Sequence, residues 1–206
     1  MKSNFTKINK SLEKDRYFST IWCTLDSSVK PYLQEILRPL QQYSEWLSTF
    51  GDSKKDGKYL PHISLRYLGF TDELSKQKLI DDKNSFSKAI DMSEITKIEL
   101  GDINIWEQAI NNKVVTARLS WKILDLNPLK IIHDNLLKVS GYQFFENLEG
   151  ENYNPHISLG QINLEKNNYQ KVKEYLNNQQ FKIQTVKLDK FAINYATKEQ
   201  REEIAL

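Results

Sequence analysis

The pentapeptide Pro-His-Ile-Ser-Leu occurs twice in this chain, at residues 61–65 and again at residues 155–159. Such a recurrence indicates an internal duplication. The apolar and β-branched residues in and around each copy predict a strand, and side chains alternate between the two faces of a strand. One imidazole and one hydroxyl should therefore lie side by side on each strand. The candidate catalytic residues are His62, Ser64, His156 and Ser158.

Two imidazoles that flank one phosphorus atom could divide the work of acid–base catalysis. One would remove a proton from the attacking oxygen and the other would protonate the departing oxygen, because an imidazole with a pKa of about 6.5 exchanges protons readily near neutrality. The paired hydroxyls could donate hydrogen bonds to the non-bridging phosphate oxygens, where negative charge accumulates in the transition state. In this interpretation serine positions the phosphate and is not a nucleophile.

Three other interpretations of the repeat are weaker. A lone histidine in a strand is usually a structural residue, but duplication in an identical context argues for a function. Two histidines with no nearby cysteine or carboxylate fall short of the three or four ligands of a zinc site, so no metal is expected. A Ser-His-Asp triad is rejected because the chain has no Gly-x-Ser-x-Gly elbow and each motif serine precedes a leucine in a regular strand.

Other polar residues could contribute to a phosphate site. Strand alternation places Arg66 on the outward face of His62 and Ser64, where it could bind substrate or could equally be an ordinary exposed residue. Three lysines between residues 54 and 58 could attract a polyanion, although a solvated loop is the more ordinary interpretation. The third histidine, His133, lies on the apolar face of a predicted helix, which favours a packing role.

Composition limits the class of protein. The chain has 206 residues and a net charge of +2, which argues against a nucleic-acid coat protein but is compatible with a short nucleotide ligand. The one cysteine, Cys23, excludes an internal disulfide framework and suits a reducing compartment. Residues 1–14 lack the apolar centre of a signal peptide, and no segment is long and apolar enough to span a bilayer. We therefore expect a cytoplasmic protein without membrane association.

The predicted elements follow the same order in both halves: strand, helix, His-containing strand, helix, strand. In the first half they are residues 17–25, 31–47 with a kink or break at Pro39, 61–69 after a loop at 51–58, 73–90, and 98–106 with a bulge at Gly101. In the second half they are residues 114–121, 128–139, the second pentapeptide, 165–176 and 181–195. A single domain over residues 1–206, with pseudo-twofold lobes at about 15–110 and 111–200, would bring the two His-Ser faces together across a cleft.

The two motifs resemble the signatures of a known family. Residues 62–69 resemble the first signature of the 2H phosphoesterase superfamily, which includes the LigT-like or 2′-5′ RNA ligase group, and residues 155–159 resemble the second. Many LigT-like members carry an arginine shortly after the second motif. This chain has Gly160 and Gln161 there.

The resemblance implies a bilobal α+β fold of antiparallel strands with outer helices around a central cleft. It also implies metal-independent cleavage of a phosphodiester at a ribose 2′ position, commonly a 2′,3′-cyclic phosphate or a 2′-5′ linkage. By this resemblance His62 and His156 would be acid and base in either order, and Ser64 and Ser158 would hold the phosphate. The expected partner is a nucleotide, an oligonucleotide or an RNA end, bound by a monomer that needs no cofactor.

Two further interpretations stay open at this stage. One is a nucleotide- or RNA-binding module that keeps the cleft without turnover, and the other is an enzyme that degrades an oligonucleotide second messenger. The direction of the reaction is also open, because the same proton transfers serve hydrolysis, cyclisation and ligation.

Overall fold

The central feature of the computed structural model, which describes residues 17–48, 61–91, 95–110, 113–197 and 201–206, is an eight-stranded antiparallel sheet. The strands are β1 (Phe18–Leu25), β2 (Ser44–Leu47), β3 (His62–Phe70), β4 (Lys97–Ile110), β5 (Lys113–Ile123), β6 (Ile157–Ile162), β7 (Gln184–Ala196) and β8 (Arg201–Ala205). The α-helices in these ranges are α1 (Lys30–Leu37), α2 (Lys76–Asp81), α3 (Lys83–Asp91), α4 (Asn127–Leu137) and α5 (Asn168–Asn177). The α+β class expected from the sequence is confirmed.

The two halves of the chain exchange strands. The order across the sheet is β1-β3-β6-β5-β4-β7-β8, with β2 on the edge of β6, and β7 also pairs with β1. The last long strand of the first half, β4, pairs along its length with β5 of the second half, whereas β7 of the second half pairs with β1 of the first. Each half therefore donates a strand to the other. The lobe limits at 15–110 and 111–200 stay a prediction.

The two motif strands, β3 and β6, have the same one-residue bulge. Leu65, the residue after the first motif serine, has no partner on β1, and Leu159, the residue after the second motif serine, has none on β5. A bulge of this kind ends the simple alternation of faces. Leu65 and Arg66 are consecutively buried as a result, and so are Leu159 and Gly160. The two copies of the motif thus share a backbone bulge as well as a sequence.

The inner face of the sheet packs against the helices. Ile63, Leu65, Ile157 and Leu159 are fully buried, as the strand pattern predicts. Burial of a large aliphatic side chain contributes about 1.5–3 kcal/mol, so these residues anchor the two motif strands to the core. The opposite face of both strands carries the polar motif residues.

A bulge at Gly101 is confirmed by a shift in the β4–β5 register between Leu100 and Ile103. The Nε1 atom of the buried Trp121 donates to the Gly101 carbonyl oxygen at 2.8 Å. The bulge therefore also satisfies the polar atom of a large core side chain.

The break predicted at Pro39 is confirmed, but the continuation of the α-helix to residue 47 is wrong. Pro39 lacks a backbone N–H and cannot continue an α-helix, so α1 gives way to a 3-10 helix at Arg38–Tyr43. The next residues form β2. This strand pairs with residues 160–162 of β6, beyond the point at which β3 and β6 separate. The Ser48 N–H also donates to the Leu159 carbonyl oxygen at 2.7 Å, which extends this pairing.

Two other differences from the predicted elements are smaller. The helix predicted over residues 73–90 is two helices, α2 and α3, that meet at Asp82, whose carboxylate accepts hydrogen bonds from Lys78 and Tyr142. β8 was not predicted. The loop at 51–58, with its lysines, and the N-terminal residues 1–14 lie outside the described residues. Within the described ranges, no helix has the length and apolar character needed to cross a bilayer.

We predict that Gly160→Ala lowers the free energy of unfolding by about 1–3 kcal/mol. A Cβ at Gly160 would lie 2.7 Å from the Trp46 carbonyl oxygen and 2.5 Å from a Leu47 methyl carbon, so the β2 backbone must move. The matched control is Gly101→Ala. There the Cβ would meet only the half-exposed Leu124 side chain, which can rotate away. Urea unfolding of both variants measures the difference, and equal losses would contradict the clash with β2.

Candidate active site

The four motif residues lie around one antiparallel pair at the centre of the sheet. Ile63 of β3 is the register partner of Ile157 of β6, and both side chains point into the core. Continuing this register places His62 opposite Ser158 and Ser64 opposite His156, all on the other face. Each motif histidine thus lies beside the serine of the other motif.

General strand geometry gives the scale of this arrangement. Directly opposed residues have Cβ atoms about 4.5–5.5 Å apart, and diagonal neighbours are about 7–8 Å apart. His62 and His156 are diagonal neighbours, so a phosphoryl group could lie between their rings. By this register all four residues that the sequence singled out lie around the Ile63–Ile157 pair. Their catalytic roles stay a prediction.

The backbone fixes the tautomer of His156. Its side chain is exposed, and Nδ1 lies 3.1 Å from the Asn154 carbonyl oxygen. A carbonyl oxygen only accepts hydrogen bonds, so Nδ1 must carry the proton. In the neutral ring the lone pair is therefore on Nε2, which is available to accept a proton from a substrate.

The ring of His62 packs against an indole. The ring centroids of His62 and Trp22 are 4.3 Å apart, with an angle of 54° between the planes. Trp22 is the register partner of Ser64 and is 4% exposed. Its buried Nε1 has no hydrogen-bond partner among the described residues. An indole thus limits where the half-buried imidazole of His62 can go.

Arg66 does not share the face of His62 and Ser64, contrary to the alternation predicted from the sequence. The bulge at Leu65 turns Arg66 to the inner face, where it is 3% exposed. Its Nη1 donates to the Leu136 carbonyl oxygen and, at 3.0 Å, to the Val139 carbonyl oxygen. The guanidinium therefore serves the C-terminal end of α4 and cannot reach a phosphate on the open face.

Tyr67 takes the position expected for Arg66. It follows the bulge on the open face, and its side chain forms a hydrogen bond with Ser64. Burial raises the pKa of Tyr67, so its hydroxyl is protonated near neutrality. The rings of Phe18 and Phe145 lie 5.9 Å and 6.2 Å from the Tyr67 ring, in edge-on contacts. Sequence reasoning missed Tyr67 because nothing in the two pentapeptides signals a bulge.

The corresponding position after the second bulge is Gln161. Its side-chain nitrogen donates to a Glu45 carboxylate oxygen at 2.5 Å. The two sides of the site are therefore chemically different, with a phenol beside the first motif and an amide beside the second.

Comparisons with known proteins agree with this architecture. No protein-family model matches the sequence, and no curated protein matches it significantly. Among solved structures, Usb1 of Kluyveromyces marxianus matches with a TM-score of 0.51 at 12% identity, over 92% of this chain and 98% of that chain. The chain has the same fold as Usb1.

Two other solved structures are similar. The same Usb1 with uridine monophosphate has a TM-score of 0.50 at 12% identity, over 92% of this chain and 98% of that one. E. coli LigT complexed with 3′-AMP has a TM-score of 0.49 at 10% identity, over 94% of this chain and 96% of that one.

Within this fold, His133 supports the first motif from the core. The buried ring donates from Nδ1 to the Leu65 carbonyl oxygen at 2.7 Å and accepts at Nε2 from the Gly150 N–H at 3.0 Å. It stacks on Tyr153 at 4.0 Å between ring centroids, and the Tyr153 hydroxyl donates to the Ser64 carbonyl oxygen at 3.0 Å. His133 therefore has the packing role that its helix position favours, and it also fixes the β3 backbone.

The second motif has an equivalent support. The Ser48 hydroxyl donates to the Ser158 carbonyl oxygen at 3.1 Å. The carbonyl groups of both motif serines are thus held by hydroxyl donors from outside the two strands. These contacts restrain the backbone at both motif serines.

Among the described residues, no three His, Cys, Asp or Glu side chains come together as a possible metal site. Metal independence stays a prediction.

His133 should make the fold sensitive to acid. Burial lowers the pKa of His133 below its usual 6.5, and this effect outweighs the charges of Glu149 and Asp134, which raise it. As pH falls through about 6.5, the unfolded chain binds a proton that the folded chain resists, so stability is lost. We predict that the free energy of unfolding falls more steeply between pH 7 and pH 5 in the wild type than in His133→Asn. Urea unfolding at each pH measures both, and parallel curves would contradict the assignment.

Proposed function

We propose that this protein is a phosphodiesterase that acts at a ribose 2′ position of RNA or of an oligonucleotide, through two-histidine acid–base catalysis. The observation that carries the proposal is the pairing of Ile63 with Ile157, which places two imidazoles and two hydroxyls on one open face. Histidine can gain and lose protons near neutrality, and hydroxyls can bind phosphate oxygens. A role in packing alone would not require this set at the junction of two strands.

We assign His156 as the base and His62 as the acid. Because Asn154 fixes the proton of His156 on Nδ1, the Nε2 lone pair is ready to remove a proton from the attacking oxygen. The ring of His62 lies against the Trp22 indole, and an aromatic face favours a cation by about 0.5–2 kcal/mol. His62 is therefore the better candidate for the protonated imidazole.

The proposed step balances in one displacement at phosphorus. His156 takes a proton from the attacking hydroxyl or water, whose oxygen bonds to phosphorus, and the bond from phosphorus to the leaving oxygen breaks. His62 gives a proton to that leaving oxygen. Ser64 and Ser158 donate hydrogen bonds to the non-bridging oxygens, and Tyr67 orients the Ser64 hydroxyl.

The fold comparison supports a nucleotide substrate. Usb1, which shares the fold, has a structure with uridine monophosphate. We place the corresponding substrate phosphate between His62 and His156, with the 2′ oxygen as attacking or leaving group. A 2′,3′-cyclic phosphate and a 2′-5′ linkage both meet this requirement.

Removal of either imidazole should abolish most activity. We expect His62→Ala and His156→Ala each to lower kcat by about 10²–10⁴-fold, because each removes one proton transfer. The double variant should be little worse, since the two groups act as a unit. Activity should persist in EDTA, with a bell-shaped dependence of kcat/KM on pH. The measurement is turnover of 2′,3′-cyclic mononucleotides, cyclic-ended RNA, 2′-5′ oligoadenylate and cyclic dinucleotides, with products identified by mass.

A substrate with a p-nitrophenolate leaving group separates the two roles. This leaving group needs no proton, so a uridine 3′-(p-nitrophenyl phosphate) should restore much of the rate of His62→Ala and little of the rate of His156→Ala. Thr116→Ala, on the same open face of β5, is the control for nonspecific effects. The reverse pattern would overturn the assignment of acid and base. Full activity in either single variant, or binding of substrate without any product, would overturn the proposed reaction.

A further inference from the structure

A row of large side chains crosses the open face next to the motif residues. Trp106 on β4 is the register partner of Arg118 on β5, and Arg118 is the partner of Gln161 on β6. Gln161 is in turn the partner of Trp46 on β2. Directly opposed residues in an antiparallel sheet share a face, so two indoles, a guanidinium and an amide lie in one row.

This row lies next to the motif residue Ser158. Ser120 is the register partner of the motif residue Ser158, and Arg118 lies two residues before Ser120 on the same face of β5. Two residues along a strand span about 6.8 Å. The row is therefore adjacent to the motif serine and does not form a separate region of the surface.

Trp106 is exposed to solvent and does not form part of the hydrophobic core. Its side chain is 54% exposed, whereas Trp22 and Trp121 are almost completely buried. The Arg118 guanidinium lies 5.9 Å from the centre of the Trp106 ring. An exposed indole and an exposed guanidinium thus lie together on the open face.

The charge of Arg118 also acts on a residue beside the first motif. Arg118 is one of the charges that act on Tyr67, the phenol that forms a hydrogen bond with Ser64. The guanidinium is therefore near enough to the first motif for its charge to act there. A ligand phosphate at the motif residues would lie within its electrostatic range.

We propose that Trp106 and Arg118 form the subsite for a nucleobase of the substrate. The base would stack on the exposed indole, and the guanidinium would contribute positive charge next to the bound phosphate. Stacking on aromatic rings and on guanidinium planes is the general means by which proteins hold unpaired bases. The inference rests on the proposed function, because a phosphate held at the motif residues is what places the base over Trp106.

The test compares two ligands that differ in the base. Uridine monophosphate and ribose 5-phosphate carry the same phosphate, and their dissociation constants can be measured by calorimetry without any turnover. We expect the wild type to bind uridine monophosphate about fivefold or more tightly than ribose 5-phosphate. Trp106→Ala should reduce the affinity for uridine monophosphate to that for ribose 5-phosphate and should leave the latter unchanged.

Two control variants make the result specific. Trp106→Phe keeps an aromatic face and should retain most of the preference for uridine monophosphate. Ile131→Ala removes a similarly exposed apolar side chain from α4, on the helical side of the sheet, and should change neither ligand. Adenosine monophosphate should bind at least as tightly as uridine monophosphate in the wild type, because a purine offers a larger surface for stacking.

Three outcomes would overturn the subsite: no preference for the base in the wild type, an unchanged preference in Trp106→Ala, or an equal loss for both ligands in that variant. None of these outcomes contradicts the proposed reaction if the substrate panel shows turnover that depends on His62 and His156. Conversely, absence of turnover with a preference that depends on Trp106 would overturn the reaction and support the subsite.

Discussion

The antiparallel contact between β3 and β6 is the constraint on which the site depends. It consists of a single register pair, Ile63 with Ile157, after which the two strands diverge. Both isoleucines are anchored in the core, so the polar residues beside them must point to the other face. A shift of one strand by one residue in this register would turn the motif side chains of that strand into the core. Packing of two aliphatic side chains thus determines where the imidazoles and hydroxyls lie.

The two bulges determine what surrounds these residues. Without a bulge at Leu65, a guanidinium would lie beside Ser64 and a phenol would be buried. With it, Arg66 holds the end of α4 and Tyr67 contacts the motif serine. The corresponding bulge at Leu159 buries Gly160, whose lack of a side chain permits the close approach of β2. The same backbone irregularity therefore gives each motif a different neighbour.

The sequence was sufficient to predict the two motif strands, their buried isoleucines and the α+β class, because these follow from repetition and from the period of apolar residues. It was not sufficient to predict Tyr67, since a bulge depends on how the neighbouring strand pairs. β2 was missed for a related reason, because residues 44–47 continue a helical pattern of leucines and become a strand only where β6 offers an open edge. The exposed Trp106 could not be distinguished from a core tryptophan by residue type alone.

The first half of the chain contributes β4 to the second half, and the second half contributes β7 to the first. This is the strand exchange of a domain-swapped homodimer, formed here within a single polypeptide. Two separate half-length chains with this exchange would have to be identical on both sides of their symmetry axis. Covalent fusion removes that requirement and allows the two sides to diverge. On β1, the register partner of the first motif serine, Ser64, is Trp22. On β5, the register partner of the second motif serine, Ser158, is Ser120. A pseudo-symmetric scaffold can in this way have two chemically different sides.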